Sequence, residues 1–153
     1  MFRTHRKRWS GLCFIQVAFL LVGTKLVAGD PMINSTLEKA IATVKNEKSL
    51  DARADAAEHL ACLVQGIAPE TVDDKTIEDM VSLLDDPADA VRSWVAAALG
   101  QLGPRAKVAV PKLLELLPAA DCDMGDLTSA AAIRPALEKM GVKPPPFDPK
   151  KCK

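Results

Sequence analysis

Few side chains in this 153-residue sequence could do chemistry, and they do not gather. The chain has two histidines, His5 and His59, and four cysteines, at 13, 62, 122 and 152. His59 stands beside Leu60 at the edge of an apolar stripe and reads as a packed or surface residue. No second histidine follows to complete a zinc site, and no Cys-x-x-Cys occurs. Neither a glycine-rich phosphate loop nor a nucleophile elbow is present. The hexapeptide "DCDMGD" sets Asp121, Asp123 and Asp126 around a glycine, a hint of calcium. The twelfth position from Asp121 is Ala132, where an EF-hand needs a bidentate Glu. The stretch therefore reads as a solvated loop and helix cap. No catalytic residue, metal or cofactor is expected.

The elements that hold these side chains begin after a leader-like segment. Residues 1–10 carry Arg3, Arg6, Lys7 and Arg8 and no acid, and "LCFIQVAFLLV" follows at 12–22. A basic start, a short apolar run and small residues before a polar stretch read as a cleavable secretory signal peptide over 1–29. Val27 and Gly29 place the cut before Asp30. The alternative, a retained anchor, needs ~20 apolar residues. The sequence predicts a periplasmic or secreted protein. Without residues 1–29 the chain has 15 basic and 20 acidic side chains, a net charge of −5. That argues against nucleic acid or an anionic membrane surface as a partner, since both want a basic face.

From Asp30 onward the sequence is alanine-rich and poor in aromatics, which leans to helix. In "DPADAVRSWVAAALGQLG", residues 86–103, the side chains Val91, Trp94, Val95, Ala98, Leu99 and Leu102 recur at three- and four-residue spacing. This predicts one helix with a buried stripe that includes Trp94 and Leu99. Asp86-Pro87 offers its start and Gly103-Pro104 its end. The stretch repeats. "ARADAAEHLACL", 52–63, falls on 91–102 with a shift of 39, and "SAAAIRPALEKMG", 129–141, matches with a shift of 38. Helical patterns at 37–44, 77–84 and 110–117 precede the three copies. Three helical hairpins with a period of 33–40 residues predict an all-α solenoid over residues 30–141, with a right-handed drift between pairs.

Residues 86–103 followed by "AVPKLLELL" resemble HEAT repeats, in particular the short bacterial kind similar to those of phycobilisome lyases. The resemblance covers about residues 35–141, with degenerate flanking copies. It implies that Asp89 and Arg92 bond between helices and between repeats. Arg53 with Asp51 fits that role weakly. Ala130 stands where the third copy would have the Arg, so the ladder should stop there. The resemblance also implies that the second helix of each hairpin lines a concave binding face. The positions off the stripe there are Glu58, Cys62 and Gln65, then Ser93, Ala97 and Gln101, then Arg134 and Glu138. This mixed, shallow surface suits a helical protein or peptide partner better than a small substrate. A non-catalytic interaction module or scaffold follows. The rivals are a tetrapyrrole lyase-like enzyme, by analogy of fold alone, and a structural subunit of an envelope complex.

The ends read separately. "NSTLEK" at 34–39 offers Ser35 and Glu38 as a capping box, and Asn34-Ser35-Thr36 is also a glycosylation sequon. Pro135 predicts that the last helix is kinked or starts late. "VKPPPFDPKKCK", 142–153, is a Pro-rich tail that favours extended backbone. Loss of residues 1–29 leaves three cysteines. Cys122, placed in the last inter-helix loop, and Cys152, in the tail, can meet as a disulfide. Cys62 then remains as the free thiol.

Overall fold

The computed structural model describes residues 29–122, 129–149 and 152. Residues 1–28 of the signal peptide expected over 1–29, and Asp123 and Asp126 of the calcium-like stretch, lie outside these residues. Six α-helices run in order: α1 (Pro31–Asn46), α2 (Leu50–Val64), α3 (Asp74–Ser82), α4 (Asp89–Leu102), α5 (Val110–Cys122) and α6 (Ala130–Lys139). No strand occurs among the described residues. No helix among them is long and apolar enough to cross a membrane. The expected all-α architecture of three hairpins is present, as α1–α2, α3–α4 and α5–α6.

The second helices form an inner row, with α4 packed between α2 and α6. The first helices form the other layer: α1 packs on α2 and α3, α3 on α4, and α5 on α6. Each helix turns its stripe into the space between the layers. Leu37, Ile41 and Val44 come from α1, Leu60 and Val64 from α2, and Ile77 and Met80 from α3. Val91, Val95, Leu99 and Leu102 come from α4, Leu113 and Leu117 from α5, and Ile133 and Leu137 from α6. Leu99 is fully buried, as its stripe position requires. Trp94 is a correction, because it is half-buried at the margin of that core.

Helix α4 has neighbours on both sides, so its small residues are buried as well. Ala96, Ala98 and Gly100 are buried, while Ala90 and Ala97 are half-buried. A Cβ added at Gly100 would stand 3.0 Å from both Cα and Cβ of Ala136. Here a side chain larger than glycine's would sit closer to Ala136 than ordinary van der Waals contact, so α6 would have to give by a few tenths of an ångström.

Helix starts differ from the sequence reading. Helix α1 begins four residues before Ser35, so the capping box does not form. Asp30 is the cap: its carboxylate accepts from the Met32 and Ile33 amides, with Pro31 in the first turn. Helix α4 begins at Asp89, not directly after Asp86-Pro87. The Asp86 carboxylate instead accepts from the Ala88 amide, 2.8 Å away, and closes a short turn ahead of the helix. Gly103, at φ +53°, ends α4 as expected. Helix α5 runs on through Pro118, so Cys122 is its last residue and not part of a loop. Helix α6 contains Pro135 and is, at ten residues, shorter than α2 or α4.

Candidate interaction face

The face singled out by the repeat alignment lies on the inner row. Glu58 on α2, Gln65 just beyond its end, Gln101 on α4 and Glu138 on α6 are exposed. Ser93 and Ala97 are half-buried between them on α4. Among the described residues, neither Glu58 nor Glu138 forms an ion pair within the chain. Arg134 differs. Its Nε donates to Asp121 Oδ1 at 3.0 Å, its Nη2 pairs with the other Asp121 oxygen, and its Nη1 donates to the Pro145 carbonyl at 2.8 Å. The guanidinium thus joins α5, α6 and the tail, which occupies most of its donors. His59 is exposed on α2 with no carboxylate paired to it. The described residues hold no cluster of three or more metal-ligating side chains.

One edge of the stack carries a polar ladder. Arg53 on α2 donates from Nε to Asp86 Oδ2 at 3.0 Å, across the first two hairpins. Arg92 on α4 donates from Nη1 to the Asp86 and Pro87 carbonyls, at 2.8 and 2.9 Å, and pairs with Asp89 at 2.9 Å. Asp89 in turn accepts from the Ser129 amide at 2.8 Å and from the Ser129 hydroxyl at 2.6 Å. The chain of contacts crosses both junctions between hairpins. Asp89 reaches the next hairpin, whereas Arg92 bonds only within residues 86–92, at the start of its own helix, and not between repeats. The ladder ends in the third copy. Arg53 pairs with Asp86 rather than with Asp51. The signal for its role was in the sequence: it is the residue equivalent to Arg92 at a shift of 39.

Asn34 was not legible as a structural residue. It is buried, and its amide donates to the carbonyls of Asp30 and Thr71, at 2.9 and 3.2 Å. Its oxygen accepts from the Asp73 amide at 3.1 Å. A side chain so enclosed pins α1 to the segment before α3 and presents no nitrogen for a glycan.

The layer of first helices is bridged by lysines. Lys75 reaches Asp79 at 2.8 Å and Glu38 on α1 at 3.3 Å. The bond to Asp79, then that to Glu38, raises the Lys75 pKa above 10.5, and the same contact holds the Asp79 carboxyl below 3.8. Lys112 on α5 bridges Asp85 at 2.7 Å and Glu115 at 3.2 Å, and the Asp85 bond is the main cause of its raised pKa.

Cys122 and Cys152 are joined across 5.1 Å between Cα atoms, at a sequence separation of 30. The expectation of a free Cys62 is corrected, since no cysteine among the described residues is free.

No curated protein and no solved structure matches the chain. A family model described as HEAT repeats matches residues 37–134, from the middle of α1 into α6. The match spans the three hairpins and the ladder that ties them, and the chain belongs to the HEAT-repeat family.

Proposed function

We propose that this chain is an exported, non-catalytic interaction module that receives a helical segment of a partner protein on the α2–α4–α6 row. HEAT repeats in general mediate protein–protein contacts and serve as scaffolds. The observation that carries the reading is the use of charge. Asp86, Asp89, Asp121, Arg53, Arg92 and Arg134 are engaged in holding the stack together. Glu58, Gln65, Gln101 and Glu138, by contrast, stay exposed on adjacent inner-row segments. They stand to either side of the half-buried Ser93 and Ala97 and leave the inner row's polar groups free for a partner's own polar groups. Removal of residues 1–29 as a signal peptide is part of this reading. A cut before Asp30 leaves the α1 cap and the Asn34 contacts intact, and an oxidising compartment favours the Cys122–Cys152 bond.

A photo-crosslinking residue placed at Gln101 or Glu58 in the native host tests the reading against one placed at Glu115 on α5. The expected result is a discrete crosslinked partner from the inner-row positions and none from Glu115. Equal labelling from both layers would overturn it. N-terminal sequencing of the same material is expected to begin at Asp30.

A further inference from the structure

We propose that residues 142–149, with Cys152, form a reducible strap along the last hairpin, latched by Cys122–Cys152 and released by a dithiol reductant while the hairpins stay folded. This rests on the reading that the bond forms in the exported protein.

Three successive contacts trace the strap. Gly141, at φ +82°, turns the chain after α6, and the Val142 amide donates to the Leu137 carbonyl at 2.9 Å. The Pro145 carbonyl then accepts from Arg134, and Cys152 reaches Cys122 at the end of α5. The chain therefore runs back along α6 and crosses to α5. Both of these latches anchor at the end of α5, because Arg134 is itself held by Asp121, the residue before Cys122.

The strap contributes little to the core it closes. Val142 and Pro144 are half-buried, whereas Lys143, Pro145 to Pro149 and Cys152 are exposed. Residues 142–148 contain no helix or strand. A segment with so few buried apolar contacts opens locally at low cost. α6 needs no support from it to stay folded, since α4 and α5 both pack on that helix. A latch that can open without unfolding the domain differs from a disulfide buried between core helices.

The redox step balances with a dithiol, such as dithiothreitol or a protein of the Cys-x-x-Cys oxidoreductase class. Its thiolate attacks the more exposed sulfur, Cys152 Sγ, and forms a mixed disulfide as Cys122 leaves as thiolate. The second thiol of the reductant then displaces Cys152. The reductant leaves as a disulfide, its two electrons and two protons now on Cys122 and Cys152. Release frees Pro145 from Arg134 and uncovers the flank of the last hairpin.

Chymotrypsin cleavage after Phe147, which is 53% exposed, reads the strap. Alkylation and peptide mapping of the untreated protein come first, and the linked Cys122–Cys152 peptide is expected. Dithiothreitol should then raise the cleavage rate at least about tenfold with far-UV helicity and a cooperative melt retained. A Cys122→Ser/Cys152→Ser double variant should be cut at the faster rate without reductant, which ties the effect to this bond. An unchanged rate on reduction, or loss of helicity in the double variant, would overturn the strap. Alkylatable thiols at both positions in the untreated protein would overturn the bond itself, leaving the interaction-face reading to its own test.

Discussion

The two junctions between hairpins are built on different principles. The first, where α2 packs along α4, adds polar contacts that reach across a distance. Asn34 spans from α1 to residues 71–73, and the long Arg53 side chain reaches Asp86 ahead of the next helix. The second is close and steric. Gly100 meets Ala136 so closely that a further carbon would stand 3.0 Å from its Cα and Cβ, and the polar contact beside it is a short one, from the Ser129 amide and hydroxyl to Asp89. Long arms tolerate small changes in spacing but depend on charge and solvent. Close backbones resist added atoms, but salt does not touch them. Helix α4 takes part in both, so its stripe serves as a common reference for either junction.

That stripe gives the largest expected effect. Leu99→Ala should cost about 2–5 kcal/mol, because the side chain is fully buried and its neighbours are fixed on two sides. Chemical denaturation would read it, and a loss under half a unit would show that α4 is not the shared centre. Gly100→Ala tests the steric junction alone. Alanine favours helix over glycine by about 1 kcal/mol, yet the crowding at Ala136 should outweigh this and destabilise by about 1–3 kcal/mol. Adding Ala136→Gly should recover part of the loss. A neutral Gly100→Ala would mean the junction can spread.

The polar junction responds to different changes. Asn34→Ala leaves the buried Thr71 carbonyl and the Asp73 amide without their side-chain partner. The expected cost is about 1–3 kcal/mol, with little dependence on salt. Removing glycosylation capacity from the host should leave the wild-type mass unchanged. Arg53→Met should cost less, about 0.5–1 kcal/mol, although the pair is mostly shielded, with the side chains 19% and 14% exposed. This loss should shrink at high salt, where that of Gly100→Ala does not. Equal salt sensitivity in the two variants would erase the distinction between the junctions.

The same contrast explains what could be read before any coordinates. The six stripes were legible because 3.6-residue periodicity is local, and the repeat placed the hairpins. The cap at Asp30 was also local, in "DP", but a nearer capping-box pattern at Ser35 competed with it. The partners of the junction residues were not legible because they lie 33 to 40 positions away, and Asp89 itself came only from the family resemblance. Arg53 could be reached only through its equivalence to Arg92, and Asn34 had no equivalent to point to it. Arg134 fell on the alignment of the inner face, and nothing in sequence shows that the tail returns to occupy it. Glu58, Gln65, Gln101 and Glu138 were legible because exposure at a helical position follows from the same stripe that defines burial.

The smallest expected effect belongs to the outer lysine bridges, and its sign follows from the two pKa shifts. Lys75 is raised above 10.5, chiefly by its bond to Asp79, so its contribution is complete below that value. It is lost as pH rises through the higher folded value. Asp79 is depressed below 3.8 by the same bond, so its contribution is present above that value and lost as pH falls through the folded one. Between the two limits the bridge should be constant. The Lys75 side chain is 71% exposed, so the effect is small and screened by salt. Denaturation of wild type and Lys75→Met from about pH 3 to about pH 11 would measure it as a difference. That difference should be flat near neutrality and close toward both ends, and added salt should shrink it. A difference that persists unchanged across the range would assign it to packing of the lysine stem on α3. The outer layer would then, like the second junction, be held by contact rather than by charge.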